Sequence, residues 1–404
     1  MALKRLSQRI PQRARTSDRT DEFMLISILK TIAVLGTLSG LAYYVLCLWG
    51  TRWFFLKRRA VRRNSWKPPV SILKPLCGAD PNAYLSLRSH CLQDYPEFEI
   101  IFGVNDPEDV AIPLVHRLME EFPERRIQLV VCTRFLGSNY KISNLIQMLP
   151  FAGYEYVLVN DSDICVGRHY LQTVMKEFES AGVGMVTTLY RGIAGKTLGA
   201  RLEALGISTD FIPGVLSARQ VENGIRFGLG ATLAFRRNAL EAIGGFESGV
   251  GYLGVDYELG RRIVEAGYSI SLAECIVEHH LPDYSFADYI RHQLRWARST
   301  RNSRPKGYAG LILTFGLPWA ILSVIAAPCT GWAWSLLGLT LALRLAVAFT
   351  VGVGLLGDHM LLRRFWLIPA RDVVAVGVWL ASFTGRRVVW RGHRFTLENG
   401  KLRP

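Results

Sequence analysis

The sequence predicts an α/β domain with a mostly parallel sheet, flanked at both ends by membrane-spanning helices. Short apolar runs alternate with amphipathic runs between residues 67 and 306, which is typical of strands and helices in turn. Long apolar stretches lie near both ends of the 404-residue chain, and half of all residues are hydrophobic. This composition excludes a disordered chain and a small disulfide scaffold.

The basic residues indicate contact with a membrane surface. The chain has 48 Lys and Arg against 33 Asp and Glu, a formal net charge of +15. The excess lies next to the apolar stretches, where anionic lipid headgroups would meet it. We see no basic stripe on the central domain, so we expect no nucleic-acid partner. The seven cysteines are odd in number and form no CxxC pair, which favours free thiols in a reducing compartment.

The N-terminal part predicts one membrane anchor. Residues 1–22 form a basic arm, 23–50 a transmembrane helix and 51–67 a basic juxtamembrane linker. The uncharged run from Thr31 to Gly50 has the length of one span. A cleaved signal peptide is the alternative, but the run is too long and no small-residue cleavage site follows it.

The C-terminal part predicts further membrane segments. Residues 310–357 contain a single charge, Arg344, and have room for two transmembrane helices. A third apolar stretch, 365–385, is broken by charges; it spans the membrane, lies at its interface or re-enters, and we favour the last two. Residues 386–404 form a basic tail.

Residues 68–306 form the central domain. Its predicted strands are 70–76, 98–105, 127–133, 156–161, 182–190, 231–236 and 269–278, and its clearest helices are 111–122, 169–181 and 256–267. Ligands of such sheets bind at the carboxyl ends of the strands, so acidic residues that follow strands are the first candidates for a site.

The first candidate is the pair Asp161 and Asp163, which follows the strand YVLVN. In an extended chain, residues two apart point to the same side, so both carboxylates could bind one Mg²⁺ or Mn²⁺ that holds a diphosphate. A solvated turn is the alternative, because such tripeptides are common.

Two further acids have a structural alternative each. Asp106 ends the strand IIFGV and could accept hydrogen bonds from a base or ribose, or could simply form an Asn-Asp-Pro turn. Asp256 opens a helix after a glycine-rich loop; it could cap that helix, act as a general base, or do both.

A basic segment completes the stronger candidates. In HQLRWARSTR, the residues His292, Arg295 and Trp296 share one helix face and could hold a phosphate and a lipid or sugar ring. The alternative is a basic amphipathic helix beside the membrane. Weaker candidates are Lys74 with Gly78, near a nucleotide or in a plain turn, and His279 with His280, as a third metal ligand or, as we favour, an exposed pair.

Six segments together resemble a known family. In order they are SILKPLCGADPNAYLSL, QDYPEFEIIFGVNDPED, NYKISNLIQML, VNDSDI, FGLGATLAFRRNALEAIGGF and HQLRWARSTR. They resemble the ceramide glucosyltransferase family, and most closely its hopanoid-biosynthesis-associated branch. The resemblance covers about residues 68–310 with the flanking membrane segments, and it implies an A-type, Rossmann-like glycosyltransferase fold.

The resemblance also implies roles. Asp106 matches the aspartate that contacts uridine, Asp161 and Asp163 match the metal motif, and Asp256 matches the catalytic base. Lys141, in the third segment, is a further expected substrate-binding residue. Arg295 and Trp296 match the RW of the (Q/R)xxRW signature, in which His292 replaces the usual Gln or Arg.

The expected activity is inverting transfer of one sugar, GlcNAc or glucose, from a UDP-sugar to a lipid hydroxyl, with a hopanoid polyol as acceptor and ceramide as the alternative. UDP-sugars are cytosolic, so we expect a multi-pass protein of the cell inner membrane with its catalytic domain in the cytoplasm. One competing hypothesis is a processive polysaccharide synthase. The other is a non-catalytic nucleotide-sugar-binding protein, and the presence of all three aspartates disfavours this second hypothesis.

Overall fold

The structure, a computed structural model, describes residues 12–59, 66–78, 80, 82–390 and 393–403. Residues 1–11 of the predicted basic arm, and residues 60–65 of the predicted linker, lie outside the described residues. The chain divides into two compact units. One consists of Met1–Val45 and Leu311–Arg344, and the other of Leu46–Gly310 and Leu345–Pro404.

The larger unit is built on an eight-stranded sheet in the order β3-β2-β1-β4-β7-β6-β8-β5. The strands are β1 Val70–Pro75, β2 Phe98–Val104, β3 Arg126–Val131, β4 Tyr156–Val159, β5 Ile164–Cys165, β6 Val183–Ile193, β7 Leu233–Arg236 and β8 Ser269–His280. All seven predicted strands are present with slightly shifted ends, and the two-residue β5 was not predicted. Strands β1, β2 and β4 are buried along their whole length, which explains their continuous apolar sequences.

The sheet is mixed. Pairs β1–β2, β2–β3, β1–β4 and β6–β8 are parallel, as the alternation of strands and helices predicts. Strand β7 runs antiparallel to both of its neighbours, and β5 runs antiparallel to β8, which the sequence did not predict. The parallel strands β1, β2 and β4 therefore end at one edge, and Asp106 and Asp161 follow them there.

Fifteen α-helices are described. They are α1 Gln12–Arg59, α2 Ala83–Cys91, α3 Ile112–Glu121, α4 Tyr140–Met148, α5 Tyr170–Lys176, α6 Leu198–Gly206, α7 Ile212–Val221, α8 Arg237–Ala242, α9 Val255–Glu265, α10 Phe286–Ser303, α11 Pro305–Gly310, α12 Gly316–Ala326, α13 Gly331–Ala348, α14 Met360–Arg364 and α15 Ile368–Ser382. The predicted helices correspond to α3, α5 and α9. A π-helical turn, Phe349–Leu355, extends α13.

Among the residues that the structure describes, three helical segments are long and apolar enough to cross a membrane: Met24–Leu56, Gly331–Leu355 and Met360–Ser382. The segment Pro305–Thr314 and helix α12 pass the same test together but are bent by 51°. The region predicted to hold two transmembrane helices thus contains one continuous helix and part of a bent pair. Most of Met24–Leu56 is not buried by protein, so its apolar side chains are available to lipid.

The C-terminal residues form a second sheet that the sequence analysis did not predict. Strands β9 Arg387–Trp390, β10 His393–Glu398 and β11 Lys401–Arg403 pair antiparallel, where we had expected only a basic tail. Asn399 and Gly400 connect β10 to β11 with φ angles of 50° and 80°. These positive φ values are those of a tight hairpin turn, for which Asn-Gly is the preferred sequence.

Helix α1 and helix α12 approach closely within the smaller unit. A Cβ atom on Gly40 would collide with the backbone of Gly316, and one on Gly316 would lie 3.0 Å from the Tyr44 ring. Small residues allow such close helix contacts in membranes. Thr37 and Ser323 place their hydroxyl oxygens 3.4 Å apart beside this contact.

We therefore expect Gly40→Val to destabilise the protein by about 1–3 kcal/mol, because two γ-methyl groups would force the helices apart. The matched control is Gly338→Val on α13, where a Cβ would meet no atom within 4 Å. Thermal unfolding in detergent compares the two variants. Equal melting temperatures would contradict the close contact.

Candidate active site

A cavity of about 310 Å³ lies in the larger unit at the carboxyl end of β4. Its walls come from the start of α4, the start of α9, the end of β8 and one face of α10. Five of the predicted site residues line it: Lys141, Asp161, Asp256, Arg295 and Trp296. The fold therefore gathers residues that lie up to 155 positions apart in the chain.

Asp161 forms an ion pair with Lys141, with 2.5 Å between Oδ1 and Nζ. Lys141 lies in the first turn of α4, and Asn139 caps that helix by accepting a hydrogen bond from the Ile142 amide. The Asn139 amide group also donates to the carbonyl of Tyr252 at 2.8 Å. The cap thus fixes where Lys141 enters the cavity.

Lys74 supports Asp161 from inside the sheet. It is fully buried in β1, and its Nζ donates to the backbone carbonyl of Asp161 at 2.9 Å. Burial lowers the pKa of Lys74 to about 7, against the attraction of Asp163 and Asp161. Lys74 is therefore enclosed in the sheet, where it holds the backbone of Asp161, and it does not line the cavity as the weak nucleotide-binding candidate would require. The Gly78 amide donates to the Asp109 carboxylate at 3.0 Å.

Asp163 points to His279 rather than into open space. His279 Nε2 donates to Asp163 Oδ2 at 3.0 Å, and His279 lines the cavity. Burial alone would lower the pKa of His279, but the charge and hydrogen bond of Asp163 outweigh it and raise the pKa to about 9. Our preference for an exposed His279–His280 pair was wrong, because both side chains are largely buried.

Asp163 retains one oxygen that could bind a cation. Its Oδ1 is buried and has no hydrogen-bond partner among the described residues. Asp161 lies two residues away, with 39% of its side chain exposed. Two carboxylates, one with an unpartnered oxygen, fit a hard divalent cation.

Asp256 lies inside the first turn of α9. The helix is capped by Gly254, and Asp256 accepts a hydrogen bond from the amide of the next residue, Tyr257, at 2.9 Å. Asp256 is therefore not the N-cap that we considered. Burial raises the pKa of its carboxyl group; Lys141 acts against the shift and Asp161 adds to it.

Gly230 leaves the space that Asp161 and Asp256 share. A Cβ atom at Gly230 would lie 3.5 Å from Asp256 Oδ2 and 3.9 Å from Asp161 Oδ2. The two carboxylates therefore face the same small volume.

Helix α10 forms the remaining wall with Arg295, Trp296, Ser299 and Thr300. His292 lies behind it: its ring centroid is 4.9 Å from that of Trp296, and its Nδ1 donates to Glu203 Oε2 at 2.9 Å. His292 thus shares the predicted helix face with Trp296 but does not itself line the cavity.

Glu203, on α6, was not found from the sequence. It is almost completely buried, and the hydroxyl of Tyr284 also donates to it. Burial opposes ionisation, yet the hydrogen bond and charge of His292 hold the pKa of Glu203 below its usual range. The sequence signal was one acid in the apolar helix LGARLEALG, which is weak without its distant partner.

Asp106 is not brought to the cavity. It follows β2 at the same edge of the sheet, but its side chain is exposed and its Oδ1 accepts from the Glu108 amide at 2.9 Å. This is the turn geometry that we weighed against nucleoside binding.

Known proteins resemble this chain in sequence and in fold. Ceramide glucosyltransferase 3 of Caenorhabditis elegans is 26% identical over 241 residues, which are 59% of this chain and 52% of that protein. The match thus spans about half of that relative's length. Ceramide glucosyltransferase 1 of the same organism is 22% identical over 356 residues, 83% of this chain and 73% of that protein.

Among solved structures, the fold resembles that of the mannosyltransferase PcManGT from Pyrobaculum calidifontis, solved in complex with GDP-Man and Mn²⁺. The TM-score is 0.54 at 21% identity, covering 87% of this chain and 99% of that one. The predicted A-type glycosyltransferase fold is confirmed. The sequence matches the family described as Glycosyl transferase family 21 over residues 32–403. With most of its length covered by this match, the chain belongs to glycosyl transferase family 21.

Proposed function

We propose that the protein is an inverting membrane glycosyltransferase that moves one sugar from a UDP-sugar to a lipid hydroxyl. The observation that carries the proposal is the shared volume in front of Gly230, which the carboxylates of Asp161 and Asp256 both face. Family membership and the A-type fold support the reaction class. The relatives named above are ceramide glucosyltransferases, which supports a lipid acceptor.

The proposed reaction is a single displacement of UDP at the anomeric carbon by the acceptor oxygen. Asp256 takes the proton of the acceptor hydroxyl while that oxygen attacks the anomeric carbon, and the bond from that carbon to UDP breaks. A single in-line displacement inverts the anomeric configuration. The raised pKa of Asp256 makes its carboxylate a stronger base than an exposed one.

The leaving diphosphate needs positive charge. Lys141 and Arg295 line the cavity and would supply it. Asp161 and Asp163 would hold Mg²⁺ or Mn²⁺, which would neutralise charge on the diphosphate. Asp106 stays a predicted uridine contact.

For the acceptor we propose a hopanoid polyol, on the sequence resemblance, with glucose or GlcNAc as the sugar. Ceramide is the second candidate, because the named relatives carry that activity in their names. Incubating the purified protein with UDP-glucose or UDP-GlcNAc and each lipid, followed by mass spectrometry, distinguishes these products. A polymer instead of a single added sugar would indicate a processive synthase.

The catalytic unit would lie on the cytoplasmic side of the bacterial inner membrane, where UDP-sugars are made. The end of helix α15 is tied to α10 and α11. Tyr308 of α11 donates to Ser382 at 2.9 Å, and Arg301 of α10 donates at 2.9 Å to the carbonyl of Gly385, which follows α15. Arg371 in α15 is buried and pairs with Asp210 at 2.7 Å. We therefore propose that α15 lies along the membrane face of the catalytic unit and guides the acceptor.

Replacing the proposed base tests the mechanism. Asp256→Asn should lower kcat by about 100-fold or more, because Asn cannot accept the proton. Its affinity for UDP, measured by calorimetry, should stay within about threefold. Unchanged transfer by Asp256→Asn would remove Asp256 as the base.

The same variant has a predicted effect on stability. The native pKa of Asp256 is raised, so at neutral pH the folded protein bears the cost of an ionised, enclosed carboxylate. Asp256→Asn should therefore raise Tm at pH 7. The gain should shrink as the pH falls through the raised native pKa and vanish below the pKa of the unfolded chain. Asp106→Asn, the same change at an exposed carboxylate, is the matched control, and equal changes in Tm for the two variants at every pH would contradict the prediction.

Filling the shared volume tests the site itself. Gly230→Ala adds a methyl group at ordinary contact distance from both carboxylates, so the protein should fold while the reacting groups lose their space. We expect kcat/KM to fall at least about tenfold. Gly182→Ala, where a Cβ meets no atom within 4 Å, is the matched control. Equal activity of the two variants would contradict the location of the site.

A further inference from the structure

We propose that the C-terminal sheet of strands β9, β10 and β11 is a clamp that positions the active site. It holds two loops, 136–140 and 249–254, which lead directly into Lys141 and Asp256. The effect of the clamp on catalysis rests on the proposed function, because it assumes that Lys141 and Asp256 take part in sugar transfer. Its structural part, the fixing of the two loops, can be tested independently.

The first loop contacts the sheet at two points. The hydroxyl of Ser138 donates to the backbone carbonyl of Leu402 at 3.2 Å. Tyr140 stacks on His393 with ring centroids 6.1 Å apart, and its hydroxyl lies 3.3 Å from His393 Nε2. These contacts end one residue before Lys141.

The second loop is bound more extensively. The Leu402 amide donates to the carbonyl of Gly251 at 2.8 Å, and the Leu253 amide donates to the carbonyl of Gly400 at 3.2 Å. The ammonium group of Lys401 lies 5.3 Å from the centre of the Tyr252 ring. The loop therefore pairs with β11 much like an added strand, three residues before Asp256.

An apolar cluster fixes this pairing. The buried side chains Val388, Phe395, Leu397 and Leu402 pack together, and Leu253 of the second loop packs against them. Leu253 also lines the cavity. One side chain thus joins the core of the C-terminal sheet to the wall of the site.

The two loops and α10 are joined through the same region. The backbone N–H of Asn139 donates to the Val250 carbonyl at 3.0 Å. The Arg298 side chain of α10 donates to the Arg387 carbonyl of β9 at 2.6 Å. The sheet consequently contacts the segments that lead into Lys141 and Asp256, and it contacts α10, which carries Arg295. The family match extends to residue 403, so these strands lie inside the region that the family shares.

Leu402 is the central positioning residue of the clamp. Its carbonyl binds the first loop, its amide binds the second, and its side chain is 3% exposed within the cluster. It touches no reacting group in the proposed mechanism. Its effect on catalysis would pass through the loops.

The test compares Leu402→Asp with Thr396→Asp in the full-length protein. Thr396 lies on the same sheet, in β10 between Phe395 and Leu397, and alternation along the strand directs it away from the cluster. Both variants add the same charge. The first measurement is hydrogen exchange of the loop amides. The second is kcat, with the donor and the acceptor that the wild type uses.

We expect Leu402→Asp to speed exchange of the loop amides at least tenfold and to lower kcat at least 20-fold, while exchange in β1 and β2 stays unchanged. Thr396→Asp should remain within twofold in both measurements. If Leu402→Asp does not accumulate, Leu402→Ala and Thr396→Ala carry the same comparison, with smaller effects in the same direction.

Two results would overturn the clamp: strands β9–β11 that exchange freely while both loops keep their protection, or loops that lose protection while kcat is unchanged. A wild-type protein that transfers no sugar would instead refute the proposed function. In that case the exchange measurements would still decide whether the sheet holds the loops.

Discussion

The site depends on how the fold balances the negative charges of three carboxylates, those of Asp161, Asp163 and Asp256, which lie together at one edge of the sheet. Lys141 pairs with Asp161, and His279 pairs with Asp163. Enclosed carboxylates without such partners would take up protons. No ion pair joins Asp256 among the residues that the structure describes, and its pKa is raised while that of Asp163 is lowered. The distribution of cationic side chains therefore separates the two acids proposed to bind the metal from the proposed base.

The sequence predicted the parts of this arrangement that depend on local pattern. Continuous apolar runs located the buried strands, and Asp161 was identified because it follows one of them and parallel strands deliver their carboxyl ends to one edge. Asp256 was identified differently, from its place at the start of a helix after a glycine-rich loop. His279 and Glu203 could not be assigned in the same way. His279 binds Asp163 and Glu203 binds His292, and each partner lies more than 80 residues away in the sequence. No local sequence pattern predicts such a contact.

Helix α10 joins the site to the part of the chain that would meet lipid. Its cavity face carries Arg295 and Trp296, while further along Arg301 donates to the carbonyl that follows α15. Behind the cavity face, Glu203 fixes the orientation of His292, and His292 packs on Trp296. A displacement of α15 would therefore act through α10 on the cavity wall that Arg295 and Trp296 form.

The amino-acid composition of the C-terminal tail was not sufficient to predict the sheet that it forms. Its many arginines and lysines led us to expect only a basic tail, whereas the alternate apolar residues Phe395 and Leu397 and the Asn399–Gly400 turn are typical of a hairpin. Ser138 and Leu402 are 264 residues apart, and bringing them together costs loop-closure entropy that only later contacts offset. The walls of the cavity come from residues 139–300, but the loops beside Lys141 and Asp256 acquire their full set of hydrogen bonds only when the last strand has docked. The active site is thus completed by the end of the chain.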